Sequence, residues 1–129
     1  MTSDLWALAA TLILAMVQIG MQSVATLIQA GPAWVAGPRD TSFQVKGKGG
    51  RLVRAHRNLL EILPQFAAAL FVVHAAGVEG AWAVWGAWLF FFSRCLYVPA
   101  YVFGPPGLRS VFWQGGQIGI LVILLDIFN

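Results

Sequence analysis

Three short groups of residues in this chain could do chemistry. The first runs Arg51-Leu-Val-Arg54-Ala-His-Arg57-Asn58-Leu-Leu-Glu61, the second Arg94-Cys-Leu-Tyr97-Val-Pro-Ala-Tyr101, and the third is Arg109-Ser110. Taken as a helix at about 100° per residue, the first group is not scattered. Arg51, Arg54, Arg57, Asn58, Glu61 and Gln65 fall within roughly a third of the circumference, and Leu52, Leu59, Leu63, Phe66 and Leu70 fall on the other side. Tyr97 and Tyr101 follow Arg94 at i+3 and i+7 and share its face. Guanidiniums outnumber the one carboxylate, Glu61. An excess of positive charge held away from bulk water needs an anion or a water-filled cavity to offset it. The pattern therefore points to a site for a small anionic ligand, with hydroxyls to orient it. A purely structural polar network is the competing reading.

The elements that must position these groups are apolar. Hydrophobic residues make up 59% of the chain and charged residues 10%, with a mean hydropathy of +0.75; an ordinary globular domain carries about 25% charged residues. Four apolar runs, 5–28, 52–78 with its polar lead-in, 81–103 and 108–128, account for the excess. Each comes close to or exceeds the roughly 20 residues that an α-helix needs to cross a bilayer, and lipid offers backbone groups no partner outside a helix. The expected fold is an all-α integral membrane protein, a four-helix bundle forming one domain over residues 1–129. On this reading the apolar face of the second span looks into lipid. Arg94, with an apolar stretch before it, lies inside the membrane and is expected to face the bundle interior and find a partner there. Pro64 is expected to kink the second span, and Gly115, Gly116 and Gly119 to permit close helix approach.

Charge placement orients the bundle. Arg39, Lys46, Lys48 and the arginines of the three groups lie toward one side, whereas Asp4, Glu79 and Asp126 lie toward the other. The positive-inside rule puts loops 31–50 and 104–108 in the cytosol and both termini on the opposite side. That topology accounts for the basic pI, and no nucleic-acid-binding motif competes with it. Asp4 stands where a secretory signal would be positive, so the first run is expected to be a retained span. Cys95 stands alone and can form no bridge within the chain. No metal site is expected. Lys46-Gly-Lys-Gly-Gly50 lacks the spacing and the preceding strand of a phosphate loop. With Gly31-Pro32 and Gly37-Pro38 it reads as a mobile, irregular connection beside anionic headgroups. Gln18 and Gln22 are expected to bond between helices, and Gln29 to lie near a ligand. Trp82, Trp85 and Trp88 read as interfacial anchors. His56 and His74 point away from the charged stripe, His74 to the lipid side, where an interfacial or helix-contact role is expected of it.

On these motifs the chain resembles the MAPEG family, the membrane-associated proteins in eicosanoid and glutathione metabolism. Arg51-x-x-Arg-Ala-His-Arg-Asn-x-x-Glu61 is very like the second helix of the microsomal prostaglandin E synthases of that family, and Arg94-x-x-Tyr-x-x-x-Tyr101 and Arg109-Ser110 follow in order. The resemblance implies a homotrimer with glutathione as co-substrate, bound between subunits from the cytosolic side. By matching position, Arg54, Arg57, Asn58, Glu61, Arg94, Tyr97 and Tyr101 would hold the peptide. Arg109 and Ser110 would stabilise the thiolate. Two positions depart from the pattern: Gln29 stands where glutathione-using members tend to have arginine, and Trp113 where tyrosine is common. The implied activity is a glutathione-dependent transferase or peroxidase acting on small lipophilic electrophiles that arrive through the membrane lipid. The alternatives are a non-catalytic lipid-binding or scaffold protein of the same fold, and a small transporter or channel subunit.

Overall fold

The computed structural model describes residues 1–129 and has helices as its only regular elements, without strands. Helix α1 spans Ser3–Ala30, a short α2 Pro32–Ala36, α3 Gly47–Ala75, α4 Ala81–Phe103 and α5 Leu108–Leu125, with a final 3-10 turn at Asp126–Phe128. The four long helices are each long and apolar enough to cross a membrane. Helix α3 begins at Gly47 rather than Leu52 and ends at Ala75. Pro64 lies within it and does not end it. The reversal between α4 and α5 is made by Gly104-Pro-Pro-Gly107, with Gly107 at φ 93°, a left-handed conformation that costs glycine no Cβ clash.

Loop 31–50 departs from the expected mobile connection. The indole of Trp34 donates to the Thr41 carbonyl at 2.9 Å and its ring meets Phe43 at 5.6 Å. Gln29 fastens the far end: its Nε2 donates to the Lys46 carbonyl at 3.0 Å and its Oε1 accepts from the Lys46 amide at 2.8 Å. A side-chain amide that supplies both a donor and an acceptor can replace a strand-like pairing here. Lys46 is also the residue before the first turn of α3. Gln29 thus sets the start of that helix instead of waiting for a ligand.

The core lies where α3, α4 and α5 meet, with α1 against it. Leu59, Phe66 and Leu70 of α3 are fully buried there, and Phe66 stacks on Phe90 of α4 at 4.0 Å between centroids. This corrects the orientation expected of α3: its apolar face looks into the bundle, not into lipid. Helix α1 buries a narrow stripe, Asp4, Ala7, Thr11, Ala15 and Gln18, at alternating three- and four-residue steps. Beyond Gln18 it buries nothing. Gln18 Oε1 has no hydrogen-bond partner, and the Gln22 side chain makes no bond to another helix, so the expected interhelical amide bonds are not formed. His74 makes the helix contact expected of it: its Nε2 lies 2.7 Å from Oδ2 of Asp4 on α1, while its side chain stays partly exposed.

Helices α4 and α5 make the most extensive packing in the bundle, and glycines permit it. A Cβ on Gly86 would sit 2.5 Å from the Gly119 carbonyl oxygen, and one on Gly119 2.7 Å from that of Gly86. The two backbones touch because neither residue has a side chain, the close approach that small residues allow in membrane helices. Gly86→Ala is expected to push α4 and α5 apart and cost about 1–3 kcal/mol, the usual price of overpacking. Gly20→Ala, at a position with nothing within 4 Å, is expected to be neutral or stabilising by up to about 1 kcal/mol. Unfolding of the two variants in mixed micelles, against the natural protein, measures both.

Candidate functional site

Arg94 anchors the polar layer. It is 1% exposed, the largest fully buried side chain in the protein, because α4 turns it toward α3. Its Nη2 donates to Asn58 Oδ1 at 2.9 Å. Its guanidinium carbon lies 4.3 Å from the centre of the Tyr97 ring, one turn further along α4, within reach of a cation–π attraction. Nε and Nη1 are buried with no partner. The expectation that Arg94 faces the interior and finds a partner there holds, and the partner is a neutral amide rather than a carboxylate.

One turn nearer the loop end of α4, Tyr101 gathers two further arginines. Arg54 Nε donates to its hydroxyl at 3.0 Å, and the Arg109 guanidinium lies 4.5 Å over its ring. Tyr97 and Tyr101 are themselves 5.7 Å apart between centroids. Arg51 closes the layer, Nη1 donating to the Val102 carbonyl at 2.9 Å in the last turn of α4. None of these arginines has a carboxylate within ion-pairing distance; the only such pair in the protein joins His74 and Asp4. The layer is cationic and uncompensated.

Two clefts open from it. A small one of about 200 Å³ is lined by Asn58, Tyr97, Arg109, Ser110 and Trp113. A larger one of about 440 Å³ includes Arg54 and Arg57 together with Gln22, Thr26, Trp34 and Arg39. Of the residues singled out from sequence, Asn58, Tyr97, Arg109 and Ser110 therefore share one cleft. Arg54 and Arg57 line the other, with Arg54 reaching Tyr101. Glu61 lines neither; it is exposed on the outer face of α3, as is Arg57. His56 is buried, its Nδ1 without a partner, and takes no part in the arginine layer. Trp113, noted from sequence only as a departure from the family pattern, lines the small cleft with Arg109 and Ser110. It follows Ser110 by three and Arg109 by four, the spacing that puts residues on one helix face.

The small cleft offers a guanidinium and a hydroxyl at the first turn of α5, with an amide and a phenol across from them. That combination can hold an anion and orient a second group by hydrogen bonding. Residues 5–129 match the model of the MAPEG family. No curated protein matches the chain.

Removing the amide from Asn58 would leave Arg94 charged, buried and unbonded. Asn58→Ala is therefore expected to lower stability by roughly 1.5–3 kcal/mol, the range for hydrogen bonds to charged groups. Arg94→Met, which removes the charge with its partner's demand, is expected to cost less, because an apolar residue of similar volume can replace a buried ionic group with little loss. The order of the two unfolding midpoints decides the point: an Arg94→Met variant less stable than Asn58→Ala would show that Arg94 holds the fold through contacts other than this bond.

Proposed function

The chain belongs to the MAPEG family, a family of four-helix membrane bundles, and from that premise we propose that it is a glutathione-dependent transferase or peroxidase for small lipophilic electrophiles, acting as a homotrimer with its site between neighbouring copies on the cytosolic side. The observation that carries this reading is the small cleft in which Arg109 and Ser110 stand beside Asn58 and Tyr97 with no carboxylate to neutralise the guanidinium. A thiol of ordinary pKa, about 8.5, is mostly protonated at neutral pH. A guanidinium at the sulfur favours the thiolate, the form that attacks.

In this mechanism Arg109 stabilises the sulfur anion and the Ser110 hydroxyl donates to it. Toward an electrophilic carbon, the thiolate forms the C–S bond as the leaving group departs with its electron pair or as the adjoining double bond takes a proton. Toward a hydroperoxide, the thiolate attacks oxygen, the O–O bond breaks, and the released alkoxide takes a proton. The sulfur is left as a sulfenic acid; a second glutathione thiolate attacks it, the S–S bond forms as the S–O bond breaks, and the departing hydroxide takes a proton to leave as water. The tripeptide's carboxylates would be met by Arg54 and Arg57, and its amine by Glu61, the one carboxylate of the set. Arg94 and Tyr101 act mainly as positioning residues: the first fixes Asn58 and Tyr97, the second fixes Arg54 and Arg109. Gln29 is a neutral amide whose oxygen and nitrogen are both bonded to the Lys46 backbone, and it adds no charge to the site. The trimer draws support from the outward exposure of Arg57 and Glu61 on α3, groups that a neighbouring copy would cover.

Purified protein in detergent, titrated with glutathione, is expected to show the ultraviolet absorbance of bound thiolate and to conjugate an activated aromatic electrophile. Arg109→Ala is expected to abolish the thiolate signal and lower kcat/KM by roughly 10²–10³, the loss typical of one donor to a developing anion. Glutathione binding without thiolate formation, or an Arg109→Ala variant of undiminished activity, would sink the enzyme reading and favour the lipid-binding alternative.

A further inference from the structure

The end of the bundle opposite the arginines carries polar groups that the chemistry above does not use. Asp4, in the first turn of α1, is 3% exposed. Its Oδ2 is held at 2.7 Å by Nε2 of His74 near the end of α3. Its Oδ1, equally buried, has no hydrogen-bond partner. Asp4 and His74 line a cleft of about 330 Å³ between the ends of α1, α3 and α4, with Thr2 and Glu79 as further polar lining and Val78 and Val84 as apolar lining. No lysine or arginine serves this end; those of the chain lie between Arg39 and Arg57, or are Arg94 and Arg109.

A buried carboxylate oxygen without a donor is costly, and Glu79 adds a second negative charge at the same opening. The cleft therefore calls for a cation that brings its own N–H or O–H donors. A metal ion does not fit, because no three histidine, cysteine, aspartate or glutamate side chains converge anywhere in the protein. The volume instead suits a small organic group. We propose that this cleft binds a primary ammonium group: Asp4 Oδ1 and the Glu79 carboxylate accept its N–H protons, and Val78 and Val84 cover the adjoining methylenes. His74, donating from Nε2 to Oδ2, holds the Asp4 carboxylate and leaves Oδ1 without a donor from the protein. Trp82 and Trp85, exposed on the first turns of α4, mark this end as the headgroup layer, where tryptophans concentrate. Both an aminophospholipid headgroup and a soluble amine can reach it there.

Native mass spectrometry of the full chain from micelles holding equal phosphatidylethanolamine and phosphatidylcholine tests the proposal, since the quaternary ammonium of choline has no N–H to donate. Retention of phosphatidylethanolamine is expected to exceed that of phosphatidylcholine about ten-fold, the factor that one charge-assisted hydrogen bond confers. Asp4→Asn is expected to remove most of the preference. Glu79→Gln, at an exposed position, is expected to reduce it with the fold intact, and it decides the matter if the Asp4 variant does not fold. Displacement of the lipid by millimolar O-phosphoethanolamine would assign the site to soluble amines as well, and failure to displace it would assign the site to the lipid; either supports the ammonium site. Equal retention of the two lipids, or a preference unchanged in Glu79→Gln, overturns it.

Discussion

A guanidinium buried in an apolar bundle is the constraint on which the rest of this structure depends. Charges inside a membrane are tolerated when they face the protein interior and find partners there, and Arg94 is the most fully buried cation of the chain. Its presence fixes the rotation of α4, which in turn fixes Tyr97 and Tyr101 one and two turns further along. It also fixes the level of α3, because Asn58 must lie opposite to accept its proton. Once those two helices are set, Arg54 meets Tyr101, and Arg109 at the start of α5 lies over the same ring. Phe66 and Phe90 stack on the apolar side of this layer. The catalytic geometry proposed for Arg109 is thus a consequence of how Arg94 is accommodated.

Helix α4 is finished at both ends by residues far from it in sequence, each of the sign that its dipole favours. At its beginning, Gly80 has no side chain to cap with, and the buried Asp126 accepts from the Ala83 amide at 2.9 Å. A Cβ at Gly80 would strike that carboxylate, so the missing side chain and the distant cap are one device. At its end, Arg51 donates to the Val102 carbonyl. The acidic end and the arginine end of the bundle are therefore tied together through α4. The charge asymmetry that orients a membrane protein also supplies its helix caps.

Much of this was legible in the residues. Four apolar runs of crossing length, the inward Arg94 and the arginine–tyrosine layer all follow from composition and helical spacing. The sense of α3 did not follow. In water an apolar stripe must face the core, but lipid is as apolar as a core, so the stripe of Leu59, Phe66 and Leu70 could have faced either. What decides is packing: Phe66 finds Phe90, and no spacing rule contains that. Gln29 was ambiguous for a different reason. An amide carries donor and acceptor together, and only the return of the chain to Lys46 shows that both are used internally. The Asp4–His74 pair joins residues at the two ends of different helices, and an angular count on one helix cannot see the other.

The corrected sense of α3 bears on the trimer proposed above. With its apolar face inward, the helix turns Arg57 and Glu61 outward. Arg57 lies near the loop end of α3, and a long guanidinium side chain can reach back to the interface while its methylenes stay in lipid. Glu61 has no such recourse. It lies beyond Asn58 by about 4.5 Å at 1.5 Å per residue, deeper than the level at which Asn58 meets the buried Arg94, and its side chain is too short to reach the headgroups. A carboxylate at that depth needs a donor or a neighbouring cation rather than acyl chains. Within its own chain none lies within ion-pairing distance. A second copy presenting polar groups to this face, with a ligand ammonium held between them, would meet the requirement at one stroke. Glu61, more than the arginines around it, is therefore the residue that argues for a site shared between subunits.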